Sequence, residues 1–135
     1  MFRPGGARDR SETQTEAETS TGEIRLEIPA APEYLRLARL AVADVGARAG
    51  WSYEDIDDLR IAVDELCYAI GAGAEHGRLT LTYRVEEQVI EVLGTGEETT
   101  PLAAPGELAR AIIAAVVDEF DLDVDARSFR FAKRA

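Results

Sequence analysis

The sequence has few of the residues that build cross-links or metal sites. It contains 1 cysteine and 1 histidine among 135 residues. A single cysteine, Cys67, cannot form an internal disulfide, and one histidine adds too little for a zinc site. A chain without disulfides suits a reducing compartment. We therefore expect no metal site and a cytoplasmic location.

Positive charge and long apolar stretches are also scarce. Lysine and arginine number 15 against 26 acidic residues, which gives a net charge of -11. Because phosphates and anionic lipids attract basic surfaces, this charge argues against direct binding of nucleic acid or of a membrane. No apolar run approaches the roughly 20 residues that cross a bilayer. The composition predicts a soluble protein, whose acidity serves solubility alone or attracts a basic partner.

The length suits one domain with a tail. Residues 1–21 have almost no large apolar side chains and no signal-peptide pattern, so we predict a disordered tail there. Residues 22–135 are predicted to form the folded domain.

The first half of that domain is predicted to form a strand followed by two helices. Apolar and charged residues alternate over 23–28, which is typical of a half-buried strand. A helix is predicted from Pro32 to about Gly50. The next helix has a strong start signal, because Ser52 can cap it and Trp51 can pack against Ile56 as a hydrophobic staple.

The second half is predicted to add a hairpin, a helix and a last strand. Alternating residues indicate strands over 79–86 and 90–92, followed by a polar loop over 94–101. A third helix is predicted over about 106–120 and a strand over 128–131. This order favours an α+β fold: a two-layer sandwich with a mixed, mostly antiparallel sheet covered by helices on one face.

Two features of the sequence are candidates for chemistry. Glu65 lies at the edge of the apolar stripe of the second helix, on the same side as Asp58, so it is either a base at a pocket mouth or part of a solvated face. Gly94 and Gly96 follow a strand, where they either admit a ligand close to the backbone or form an ordinary loop. His76 lies in a predicted surface turn without a titratable partner.

A family resemblance rests on Ile28-Pro29-Ala30 and on the block Leu59–Cys67, which contains Ala-Val-Asp-Glu-Leu-Cys. Over roughly residues 22–133 the chain resembles anti-sigma regulatory factors, small serine/threonine kinases of the histidine-kinase-like ATPase superfamily. The resemblance implies a Bergerat-type sandwich with ATP between helices and sheet. It also implies binding of a sigma factor, competition by an anti-anti-sigma (STAS-type) partner, phosphorylation of that partner on serine, and homodimers.

The resemblance carries over to the nucleotide site only in part. Glu65 matches the family's acid that is proposed to activate a nucleophile, and Gly96 matches a glycine of the second motif. Ala69 stands where the family has its Mg²⁺-binding asparagine, Gly94 where it has its adenine-binding aspartate, and Glu98 where it has a further glycine. Alanine offers Mg²⁺ no oxygen ligand. We therefore expect no cofactor, with any binding of ATP and Mg²⁺ being weak.

Three functions remain open on this basis. The favoured one is a non-catalytic anti-sigma-like protein that works by binding its partners. The second is an active serine kinase in which Asp58 or Asp64 replaces a lost ligand. The third is a scaffolding or oligomerisation domain.

Overall fold

The computed structural model describes residues 22–97 and 106–135. The predicted tail at 1–21 and Glu98 lie outside these residues. The described part contains a single 3₁₀ turn, Pro32–Tyr34, three α-helices and five strands. In chain order these are β1 (Ile24–Pro29), α1 (Leu35–Arg48), α2 (Tyr53–Ala69), β2 (Arg78–Glu86), β3 (Val89–Gly96), α3 (Glu107–Val116), β4 (Glu119–Asp123) and β5 (Ser128–Arg134).

The described strands form one sheet in the order β1-β2-β3-β5-β4. Each of its pairings is antiparallel. One face of the sheet carries the buried side chains that pack with the helices, and the other face is polar. The predicted two-layer α+β sandwich is confirmed, and its described sheet is antiparallel throughout where a mixed, mostly antiparallel sheet was expected.

The start of α2 follows its sequence signals. The Ser52 hydroxyl accepts a hydrogen bond from the backbone N–H of Asp55 at 3.1 Å. Trp51 and Ile56 are both buried, as expected of the two ends of a hydrophobic staple. These local contacts fix where the helix begins and hold it against the core.

The predicted loop over 94–101 is wrong at its beginning, because β3 continues through Gly96. Gly94 pairs with Leu81 on one side and with Phe129 on the other. Neighbouring strands on both sides satisfy the backbone of these residues, and this outweighs the low strand propensity of glycine.

The predicted helix over about 106–120 is too long, and the strand β4 was missed. The helix ends at Val116, and the chain enters β4 at Glu119. Phe120 and Leu122 then alternate with exposed acidic residues and pair with the buried aromatic residues of β5. The alternation has a period of two residues, which is typical of a strand and which the helical interpretation passed over.

The core is closed around Tyr83 and Cys67, both of which are fully buried. The Tyr83 hydroxyl donates a hydrogen bond to the backbone oxygen of Ala38 at 3.0 Å, which ties β2 to α1. Burial raises the pKa of the Cys67 thiol and of the Tyr83 hydroxyl, because the charged forms would lose water. The prediction that Cys67 is a core residue is confirmed.

None of the helices described is long and apolar enough to cross a membrane.

Candidate functional site

The four predicted site positions lie on two elements that meet at the end of α2. Glu65 and Ala69 are on α2, and Gly94 and Gly96 are on the buried face of β3. A β-carbon added to Gly96 would lie 2.5 Å from the backbone oxygen of Ile70. The last turn of α2 therefore lies directly on β3, and only glycine permits this approach.

The space beside Gly94 is filled by its neighbours in the sheet. A β-carbon at this position would lie 2.3 Å from Cε2 of Phe129 and 2.9 Å from Cδ2 of Leu81. Both side chains come from strands that pair with β3 at Gly94. An aspartate at position 94 would have to displace the Phe129 ring. The role of this ring was not predicted, although the alternation of Phe129 and Phe131 in β5 placed it on the buried face.

Ala69 and Glu65 lie one helical turn apart on α2. Ala69 is only 3% exposed, and its methyl group offers no ligand to a cation. Glu65 is half-buried, and no described residue forms a hydrogen bond or ion pair with its carboxylate. Of the two residues, only Glu65 carries a group capable of acid–base chemistry.

The two carboxylates proposed as substitutes are engaged elsewhere. Asp64 accepts a hydrogen bond from Nη1 of Arg39 at 2.8 Å, which joins α2 to α1. Asp58 lies 3.4 Å from Nζ of Lys133, and the same ammonium lies 3.6 Å from Asp55. Both acids thus serve as links between α2 and other elements.

Lys133 was not singled out by the sequence, although it is 9% exposed and therefore buried. It follows Phe129 and Phe131 at two-residue intervals in β5, so its side chain points to the helical layer. The carboxylates of Asp55 and Asp58 on α2 face this lysine and compensate its charge. The alternation of β5 was the signal that could have placed this lysine.

The remaining candidates take no part in the site. His76 is an exposed turn residue as predicted, with 91% of its side chain accessible. Within residues 22–97 and 106–135, no group of three or more His, Cys, Asp and Glu side chains could hold a metal ion.

The outward surface of the first two helices carries exposed apolar side chains. Leu37 and Leu40 of α1 are 44% and 55% exposed, and Ile61 and Tyr68 of α2 are 40% and 48% exposed. We call these four residues the helix-pair surface. Each of the two helices thus presents two apolar side chains to solvent.

The outer face of the sheet differs, because its charges pair with one another. Glu91 lies 3.4 Å from Arg84 and 2.5 Å from Arg130, and Arg84 also lies 2.6 Å from Glu23. These residues line a groove of about 440 Å³. Ion pairs therefore occupy much of this face of the sheet.

Comparison with known proteins places the chain among ATPase-type domains. The family described as histidine kinase-like ATPase domain matches residues 28–128. A protein named Serine-protein kinase RsbW from Listeria innocua is 42% identical over 79 residues, which cover 55% of this chain and 50% of that protein. The protein of the same name from Bacillus subtilis is 35% identical over 78 residues, which cover 55% of this chain and 49% of that protein. The matched part spans about half the length of these curated relatives.

Proposed function

The chain belongs to the histidine kinase-like ATPase domain family, and from this premise we propose that it is an anti-sigma-like regulator with an eroded nucleotide site. In this proposal it binds a sigma factor, an anti-anti-sigma protein or both, and it transfers no phosphate. The observation that carries the proposal is the filled space beside Gly94, where the resemblance places an adenine-binding aspartate.

The chemistry of the other positions supports the same conclusion. Mg²⁺ requires oxygen ligands, and position 69 presents only a methyl group. The nearby acids Asp58 and Asp64 are held in ion pairs with Lys133 and Arg39. Without a metal, the charge of a transferring phosphate would not be neutralised. The described residues therefore do not fit a Mg²⁺–nucleotide complex, which supports a function without phosphoryl transfer.

The helix-pair surface supports a function based on protein contact. Leu40 and Ile61 each expose 40% or more of their area to water. Covering such side chains with a partner releases water from apolar surface, which is the main favourable contribution to association. We propose that the regulatory partner binds at this surface.

The test is a binding titration of the full chain with the purified sigma factors and anti-anti-sigma proteins of its source organism. Leu40→Asp and Ile61→Asp should each weaken binding at least tenfold, because each places a charge in an apolar contact. Leu108→Asp is the matched control, since Leu108 is 75% exposed on α3 and lies outside the surface. Unchanged binding by both variants, or equal loss with the control, would contradict the proposed surface. Failure of every such protein to bind would favour a scaffolding domain instead.

Glu65 favours one alternative function, that of an active serine kinase. Its carboxylate is half-buried and has no partner among the described residues, and the curated relatives are named as serine-protein kinases. A general base in a kinase would need such a carboxylate near the substrate hydroxyl. Transfer of labelled γ-phosphate to an anti-anti-sigma protein, abolished by Glu65→Gln, would establish this alternative. Absence of transfer with a protein that does bind would support the non-catalytic function.

A further inference from the structure

The strand β4 forms an open edge of the sheet in the described part of the chain, because it pairs only with β5. The Asp118 N–H donates to the Ala132 oxygen at 3.1 Å, so the Ala132 carbonyl points at β4. Glu119 and Ala132, which lie opposite each other, are therefore a hydrogen-bonded pair. Since such pairs alternate along an antiparallel ladder, Phe120 and Leu122 direct their N–H and C=O groups outward.

The side chains of β4 alternate between acidic and apolar residues. Glu119, Asp121 and Asp123 are exposed. Phe120 and Leu122 are half-buried and pack against the core. Because successive side chains of a strand point to opposite faces, the three carboxylates form one row on the outer face of the sheet. The open edge thus combines unpaired backbone groups with a row of negative charge.

The negative charge of this row is compensated only in part. Arg130 of β5 lies 3.4 Å from Glu119 and 4.0 Å from Asp121. Its shortest ion pair, at 2.5 Å, is with Glu91 of β3. One guanidinium is therefore shared by three carboxylates, which leaves the two on β4 free to attract a further cation.

We propose that the β4 edge binds an extended segment of another protein in which lysine or arginine alternates with apolar residues. The segment adds to the sheet as an antiparallel strand, in keeping with the pairings of the described strands. Its basic residues lie opposite Glu119, Asp121 and Asp123 in the closely spaced non-hydrogen-bonded pairs. Its apolar residues lie opposite Phe120 and Leu122 and exchange backbone hydrogen bonds with them.

The charges of β4 favour a basic segment over a second copy of this chain. Antiparallel self-pairing that keeps the hydrogen-bond pattern would place the acidic residues of one β4 opposite those of the other. Like charges directly opposite each other in a sheet are destabilising. A basic segment meets no such repulsion, and the net charge of -11 attracts it at longer range. This inference goes beyond the proposed function, because β4 contributes nothing to the helix-pair surface.

The proposal is tested by fluorescence anisotropy of the labelled peptide Lys-Val-Lys-Val-Lys, titrated with the full chain. We expect saturable binding with a dissociation constant below about 1 mM. Methylation of both valine backbone nitrogens removes the N–H groups that face β4, so it should weaken binding roughly tenfold or more. Methylation of the backbone nitrogens of the second and third lysines is the matched control. It should leave binding unchanged, because those N–H groups point away from β4.

Charge reversal at the edge tests the second part of the proposal. Glu119→Lys combined with Asp121→Lys should weaken binding of the basic peptide roughly tenfold or more and should permit binding of Glu-Val-Glu-Val-Glu. Glu27→Lys combined with Glu75→Lys is the matched control, because it changes the net charge equally at exposed residues outside β4. This control should bind the basic peptide almost as well as the unmodified chain does. Far-UV circular dichroism verifies the fold of both variants, and the methylated peptides require no variant.

Three results would overturn the proposal. Absence of saturable binding up to about 1 mM would mean that the acidic residues only protect the edge from self-pairing. Equal binding of the two methylated peptides would mean that charge alone attracts the peptide, without a strand pairing. Equal loss of binding in the two charge-reversed variants would mean that the peptide binds away from β4.

Discussion

Gly94→Ala is the substitution that most directly probes the filled space in the nucleotide region. The added methyl group would lie 2.3 Å from Cε2 of Phe129 and 2.9 Å from Cδ2 of Leu81, both far inside contact distance. The Phe129 side chain is 4% exposed and belongs to the core cluster, so it cannot move into solvent without cost. Overpacking of this kind costs about 1–3 kcal/mol of unfolding free energy.

Urea unfolding followed by circular dichroism measures this cost, and a second substitution identifies its source. Phe129→Leu shortens the side chain that occupies the space, so Gly94→Ala should cost less in that background. We expect the two substitutions to couple by about 0.5–2 kcal/mol, as neighbours in contact do. Gly106→Ala is the control, because no atom lies within 4 Å of its β-carbon position. It should cost under about 1 kcal/mol, as an alanine at a helix N-cap does, whatever residue stands at position 129.

An unchanged urea midpoint in Gly94→Ala would mean that the space beside Gly94 is open and available to a ligand. An equal cost with leucine at position 129 would mean that Phe129 is not the side chain that fills this space.

Three further predictions concern the ion pair of Lys133, the hydrogen bond of Tyr83 and the buried thiol of Cys67, and urea unfolding measures each. Lys133→Met leaves the Asp58 carboxylate without its buried partner, so we expect a loss of about 1–3 kcal/mol; an unchanged midpoint would mean that the ion pair contributes nothing. Tyr83→Phe removes the hydrogen bond to Ala38, which should cost about 0.5–1.5 kcal/mol; a larger loss would indicate a packing defect instead. Burial raises the pKa of Cys67 in the folded state, so its stabilising contribution is complete below the unfolded pKa of about 8.5. That contribution should fall by about 1.4 kcal/mol per pH unit above this value. Cys67→Ala should reduce the slope with which the unfolding free energy falls as the pH rises above this value. A slope unaffected by this substitution would contradict the assignment of the pH dependence to Cys67.

The elements with strong local signals could be predicted from the sequence. The cap at Ser52 and the staple of Trp51 and Ile56 act within a few residues, so the start of α2 was read correctly. The end of β3 at Gly96 and the strand β4 depend on partners distant in the chain. No local pattern reports the partners of Gly96, so the end of β3 was misassigned. The strand β4 was missed for another reason, because its two-residue alternation was interpreted as part of a helix.

The candidate site, like the fold, could be predicted from the sequence only in part. The sequence identified positions 65, 69, 94 and 96 through a resemblance, and the structure brings α2 and β3 together there. The sequence did not reveal that Phe129 fills the space beside Gly94, or that Lys133 is buried next to Asp58. The alternation along β5 indicates that both side chains face the helical layer, but the neighbours that they contact there depend on how β5 packs against β3 and α2.

The measurement that tests the central claim most directly is calorimetric titration of the full chain with ATP and Mg²⁺, at protein concentrations that detect a millimolar dissociation constant. We predict no saturable heat, because position 69 offers no metal ligand and Phe129 occupies the space beside Gly94. A saturable site with one nucleotide per chain, lost in Glu65→Ala, would contradict the account and favour an active kinase.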